Sequence, residues 1–169
     1  SKSLLQAKPF SLALLGKLAP YTLCFTTLLM VEIAALVGIF DARVSGNPLF
    51  MLMIGLFYVM AAQSIGLLLY TFTGSTITAY SLIGILVSIA MTFSGMAVPE
   101  LSMPLPARII SNIEPLTHAL YAMFDVFLRQ VHASAIFSVC ALLAVYPLVA
   151  ALLVRNRLPA RLAKEGNAG

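Results

Sequence analysis

From Val44 to Pro99 the chain carries no Asp, Glu, Lys or Arg, a run of 56 residues without a formal charge. A water-soluble domain holds about 25% charged residues, spread over its surface. A run this long has no charged face to offer water. A helix that crosses a bilayer needs about 20 apolar residues, so the run holds two crossings. They are joined at Thr73-Gly74-Ser75, a link short enough only for a tight helical hairpin. The remainder has the same character: 61% of the 169 residues are apolar, 9% are charged, and the mean hydropathy is +1.01. This composition excludes a disordered chain, a disulfide-stapled secreted scaffold and an ordinary cytosolic enzyme. It points to a polytopic membrane protein.

Four stretches are long and apolar enough to span: about 19–40, 49–72, 76–98 and 134–154. The expected fold is all-α, a transmembrane bundle of four spanning helices with a helical hairpin between spans three and four. Around the 19–154 membrane domain lie a cytoplasmic segment, 1–18, and a basic tail, 155–169. In the first loop, 41–48, Gly46-Asn47-Pro48 is turn chemistry, and Pro48 suits the first position of the next helix.

The formal charge of +4 matters less than its placement. Lys2, Lys8 and Lys17 precede span one; Arg155, Arg157, Arg161 and Lys164 follow span four. An even number of spans puts these seven on one side, and the excess of basic residues marks that side as cytoplasmic. The other side holds Arg43, Arg108 and Arg129 against Asp41, Glu100, Glu114 and Asp125. Both termini are therefore expected in the cytoplasm of a cell that holds the chain in its inner membrane. Lipid head groups, not nucleic acid, are the expected partners of the basic ends. Ser1–Lys17 lacks the small-residue cleavage site of a signal peptide.

Residues 99–133 are too many for a turn and too apolar for a solvated loop. They contain four of the nine prolines: Pro99, Pro104, Pro106 and Pro115. Leu116, Leu120, Met123, Phe127 and Val131 recur at helical spacing, with Thr117, Tyr121, Asp125 and Arg129 on the opposite face. Asp125 and Arg129 make an i,i+4 pair in the favourable order. The spacing predicts an amphipathic helix of about 16 residues, preceded by a short one over 107–114 that Pro106 opens. Together they form a helical hairpin that lies on the outer interface or dips into the outer leaflet and returns. Backbone at its tip must be covered by protein or face a wet cavity.

Few residues suggest chemistry. Glu32 lies within span one, where a carboxylate costs about 2.5–3.5 kcal/mol at a helix centre. It is expected to turn toward the bundle or a cavity, either as a polar contact on a transport path or subunit interface, or as a protonated group bonded to a neighbouring helix. Gln63 and Ser64 sit in span two as interhelical hydrogen-bonding residues or as path-lining groups. Small residues at four-residue spacing, Ala62 with Gly66 and Gly84 with Ser88 and Thr92, favour close helix packing. Cys24 and Cys140 lie in apolar runs and read as core packing. His118 and His132 have no third ligand in sequence, so no metal site is expected. The Gly-x-Ser-x-Gly elbow is absent around Ser94-Gly95. So is the phosphate-binding Gly-x-x-x-x-Gly-Lys-[Ser/Thr] loop; any ATP used must be hydrolysed by another polypeptide.

One family is recognisable in these motifs. Gly16-Lys17-Leu18-Ala19-Pro20-Tyr21, opening span one, resembles the entry of ABC-2 type transporter permeases. Ser94-Gly95 and Pro99, then Met103-Pro104, then Glu114-Pro115-Leu116-Thr117-His118, are similar to the outer segment of the exporter-type members. The resemblance runs from about residue 4 to 154. It implies a six-span permease whose last four spans are present, so that a chain opening at Ser1 is part of a longer product. It implies an outer hairpin motif carried by Pro99, Met103, Pro104, Pro115, Thr117 and His118, capping a translocation path. It also implies a coupling region at Ser3–Lys17, including Lys8, Gly16 and Lys17, toward a nucleotide-binding ATPase subunit. The partners are that subunit, a second permease copy and the bilayer, with room for a periplasmic adaptor. ATP and Mg belong to the partner, and this chain binds no cofactor. On this reading the chain is an ABC exporter permease, not itself an enzyme, with Glu32, Gln63 and Ser64 as path residues. An ion-coupled transporter or channel subunit, or a non-transporting membrane scaffold, stands as the alternative.

Overall fold

Turn chemistry sets the helix ends in the computed structural model, which describes residues 2–39, 45–73, 75–95 and 98–166, with side chains from 16 to 154 except Glu100. The elements are α1 (Lys2–Gly38), α2 (Pro48–Phe72), α3 (Thr76–Phe93), a 3-10 turn (Glu100–Ser102), α4 (Leu105–Ile113), α5 (Pro115–Leu128) and α6 (Ala133–Gly166). No strand occurs among the described residues. Asn47 caps α2 by accepting from the Leu49 N–H at 3.0 Å, and Pro48 occupies the first helical position, where its missing N–H costs nothing. Pro115 opens α5 in the same way.

Four helices are long and apolar enough to cross a membrane: Gly16–Gly38, Pro48–Phe72, Thr76–Phe93 and Ala133–Val154. The third is shorter than its apolar run, which continues to 98. The Ser94 N–H still bonds the Ala90 carbonyl, and then Gly95, at φ 86°, leaves the helix in the left-handed conformation that stops it. α1 has 37 residues, about 55 Å at 1.5 Å each, with no break at 18. α6 has 34 residues and likewise outruns a bilayer core of about 30 Å. Their surplus lengths lie at the same side, because four crossings return the chain to where it began.

α2 is the central helix. α6 covers most of it, α5 and α1 flank it, and α3 is held more loosely. Ile33 of α1, Met51 and Ile54 of α2, Ala119, Ala122 and Val126 of α5, and Ile136, Cys140 and Leu143 of α6 form one buried cluster. Gly55 lets three helices meet: a Cβ there would lie 2.0 Å from Leu29 Cδ2 of α1 and 3.2 Å from Met123 Cε of α5. The two cysteines differ, since Cys140 is in this core and Cys24 is exposed.

α5 differs from its sequence pattern in two ways. It is 14 residues long, and its buried row is Pro115, Thr117, Ala119, Ala122 and Val126. Thr117 was expected on the polar face. The alanines explain the rotation, because they let α5 approach α2 and α6 more closely than the flanking Leu116, Leu120, Met123 and Phe127 would. Those larger residues are only half-buried. Tyr121, Asp125 and Arg129 face outward as expected, and Arg129 Nε lies 3.7 Å from Asp125 Oδ1. The preceding helix α4 starts at Leu105, with Pro106 second rather than first.

Candidate functional site

The hairpin of α4 and α5 dips into the bundle. At one end, the Ser45 and Gly46 N–H groups donate to the Phe127 and Val126 carbonyls at 3.0 and 2.9 Å. These are carbonyls that the C-terminus of a helix leaves unsatisfied. Gly46 is required for this approach, since a Cβ would sit 2.6 Å from the Val126 oxygen. At the other end, the Tyr146 hydroxyl of α6 donates to the Ile113 carbonyl. Tyr146 lies 13 residues, about 20 Å, along α6 from Ala133. The hairpin tip therefore packs against α6 well along its length from Ala133, while its far end is level with the first loop.

The residues that carry the motif hold that tip together. Between α4 and α5 the chain turns at Glu114, with extended backbone at φ −83° and ψ 128°. Two bonds clasp the break: Ser111 Oγ and Thr117 Oγ1 are 3.3 Å apart, and His118 Nε2 lies 2.8 Å from the Asn112 carbonyl oxygen. Thr117 and Pro115 are buried, as is Met103 before α4. Pro99 and Pro104 are exposed, and Pro104 is the N-cap residue of α4. Tyr121 lies directly over Gly95, its hydroxyl 2.5 Å from where a Cβ would stand.

Glu114 is the electrostatic focus of the tip. Its Oε2 is buried and has no hydrogen-bond partner. Burial pushes its carboxyl up from 4.5 to about 7. It stands at the positive end of the α5 dipole, which favours the anion, yet desolvation wins. Tyr58 of α2 and Tyr146 of α6 are within its electrostatic reach. The sequence placed Glu114 at the end of the short helix 107–114, on the outer side with Asp41, Glu100 and Asp125. No local signal separates a carboxylate before a proline at a surface turn from one at a buried turn, and the contacts from α2 and α6 decide it.

The three residues assigned to a path are not brought together. Glu32 is exposed on α1 and is not turned into the packed bundle. The face of α1 that meets α2 is instead the one carrying Thr22, Leu29 and Ile33. Gln63 makes the α1–α2 seam. Thr22 Oγ1 is 2.9 Å from Gln63 Oε1 and 3.1 Å from the Leu18 carbonyl oxygen, but its hydroxyl has one proton. Gln63 Nε2 is buried without a partner. With the amide turned over, Nε2 donates to Thr22 and Thr22 donates to Leu18, and the buried atom left without a partner is then Gln63 Oε1. Ser64 is buried and donates to the Met60 carbonyl at 2.6 Å.

Of the residues assigned to coupling, Gly16 and Lys17 are exposed on α1, and the Lys8 side chain lies outside the described residues, as do those of Lys2, Arg155, Arg157, Arg161 and Lys164. Asp41 and Arg43 also lie outside them. Gly84, Ser88 and Thr92 form an outward stripe on α3, each hydroxyl bonded within its own helix. Ala62 is exposed, and a Cβ on Gly66 would lie 4.0 Å from Ile83 Cδ1 of α3. Among the described residues no group of three or more His, Cys, Asp or Glu is placed to hold a metal ion.

No curated protein and no solved structure matches the chain. A family model does: that of the ABC-2 type transporter matches residues 3–128, taking in both sides of the Thr22–Gln63 seam and ending where α5 ends. A match that covers three of the four long apolar helices and the whole α4–α5 hairpin makes this chain a member of the ABC-2 type transporter family, a multi-pass membrane domain with a permease role.

Proposed function

We propose that the chain is the membrane subunit of an ABC exporter, driven by ATP hydrolysis on a separate nucleotide-binding subunit. The observation that carries this reading is the family match over 3–128, joined to a chain with basic extensions of α1 and α6 at one side. The excess of Lys and Arg at that side supports a cytoplasmic location for both ends, in the inner membrane of the cell. The α4–α5 hairpin then lies in the outer leaflet, above a path between two permease copies. ATP and Mg are held by the partner subunit. ATP moves the pair between states through its higher affinity for one of them.

Coupling is assigned to the cytoplasmic segment 1–18, which includes Lys8, Gly16 and Lys17. Among the path candidates, the exposure of Glu32 supports a role toward a second copy or the path. Gln63 and Ser64 are engaged in helix contacts, which supports packing as their main role. A periplasmic adaptor is compatible with an outward-facing hairpin.

The test is purification of the permease from its native membrane into nanodiscs, with ATP hydrolysis by any tightly held subunit measured with and without the Lys8→Ala/Lys17→Ala change. The expected outcome is a stoichiometric ATPase whose turnover falls several-fold in the variant. Substrate movement that needs an ion gradient and ignores ATP would replace the exporter by the ion-coupled transporter. A complex with neither activity would leave a scaffold.

A further inference from the structure

Between α1 and the start of α2 lies a cleft of about 250 Å³. It is lined by Met30 and Ile33 of α1 and by Asn47, Pro48, Leu49 and Leu52. Ile33 is buried and Leu52 half-buried, and they make its floor; Met30, Pro48 and Leu49 are exposed and make its walls. None of the six is charged, and Asn47, the cap of α2, is the one polar member. The inner end is closed where Leu29 packs over Gly55, whose Cβ would lie 2.0 Å from Leu29 Cδ2.

The level of the cleft follows from its residues. Pro48 is the first residue of its span, and Leu52 lies about 6 Å further along it. Ile33 and Met30 lie about 8 and 12 Å from the end of α1 at Gly38. The cleft is thus a notch within the spanning part of the chain, polar at its mouth and apolar below. That is the order of polarity along a lipid. An apolar notch does not hold water, and the lining offers nothing to an ion. From Pro48 to Gly55 it runs about 10 Å, so its volume corresponds to a section of about 25 Å², whereas a helix about 10 Å across needs about 80 Å². A single hydrocarbon chain fits; a helix of a second copy does not.

We propose that this cleft seats one acyl chain of a phospholipid from the leaflet at the side of residues 45–47, with the ester region of the lipid at Asn47. The Asn47 Oδ1 accepts the Leu49 N–H, which leaves its amide N–H groups to donate to an ester carbonyl. Deeper in the membrane, α1 and α2 touch directly through Leu29 over Gly55 and through Thr22 and Gln63. The seated chain completes that contact at the ends of the two helices, where van der Waals packing is what holds helices together in a bilayer. The seat goes beyond the exporter reading and does not rest on it; only its assignment to the outer leaflet does, through the orientation proposed above.

The test uses the permease complex in phosphatidylcholine nanodiscs that contain a rising share of a phosphatidylcholine with a diazirine midway along one acyl chain. After irradiation, adducts are located by mass spectrometry. Adducts at Ile33 and Leu52 are expected to saturate as the share rises, while those at the exposed Leu148 and Leu152 of α6 rise in proportion. Leu49→Trp and Met30→Trp each set an indole across one wall and should lower the floor adducts by at least about fivefold. Both positions are exposed, so either variant serves should the other fail to fold. Phe137→Trp, exposed on α6 about 6 Å from Ala133, should leave the floor adducts unchanged. Floor adducts that rise in proportion like those on α6, or that ignore both occluding variants, would reduce the cleft to ordinary lipid contact and overturn the proposal. So would a floor without adducts, as when a second copy seals it. Labelling by a diazirine fatty acid but not by the phosphatidylcholine would overturn it in favour of a free acid. None of these outcomes touches the exporter reading, and saturable labelling in a complex that hydrolyses no ATP would keep the seat and remove the exporter.

Discussion

At Gly95 two constraints fall on a single hydrogen atom. The backbone is left-handed at φ 86°, and the Tyr121 hydroxyl would lie 2.5 Å from any Cβ. Gly95→Ala should therefore destabilise by about 1–3 kcal/mol, seen as a lower unfolding midpoint in detergent. Gly84 is the contrast, with nothing within 4 Å of a Cβ. Gly84→Ala should be neutral or stabilise by up to about 1 kcal/mol through helix propensity. A loss of stability there would reveal a helix that covers this face of α3. Glu114 gives a pH prediction. Its carboxyl titrates at about 7 in the folded chain and near 4.5 when exposed, so the folded state binds the extra proton. Stability then falls as pH rises from about 4.5 to about 7 and levels off above. Glu114→Gln should flatten that slope, measured as the unfolding midpoint across the same pH range.

At the scale of elements, two hydrogen-bonded junctions matter most: the α1–α2 seam at Thr22–Gln63 and the clasp of Ser111–Thr117 across the hairpin break. A double-mutant cycle with Thr22→Val and Gln63→Leu should give a coupling of about 0.6 kcal/mol, and below about 1.7. The spans, the start of α2 at Asn47-Pro48 and the restart of the chain at Pro115 were legible in the sequence, because apolar length and proline geometry act locally. The face of α5 was not. Its larger apolar residues define one stripe, but packing chose the stripe with Ala119 and Ala122, where two neighbours could come closest. Glu114 and Glu32 show the same limit. Hydropathy counts a carboxylate without knowing which helix it meets, and the tertiary arrangement buries Glu114 Oε2 at the hairpin break and leaves Glu32 exposed on α1.

At the scale of the whole molecule, four crossings put residues 45–47 and 129–132 on one side and the ends of α1 and α6 on the other. Single cysteines at Ser45 and Arg129, in a background without Cys24 and Cys140, should react with an impermeant thiol reagent added outside cells, and one at Lys164 should not. The reverse pattern would invert the orientation proposed here. The hairpin is fastened differently at its two ends. Backbone bonds from Ser45 and Gly46 pin its rim, whereas its inner edge is held by the Tyr146 hydroxyl and the two bonds across its own break. It is built like a trapdoor hinged at the membrane surface. Over the 14 residues of α5, about 21 Å, a swing of about 10° would carry the inner edge about 4 Å, enough to break its bond to Tyr146 and open a gap the size of a water molecule beside α6.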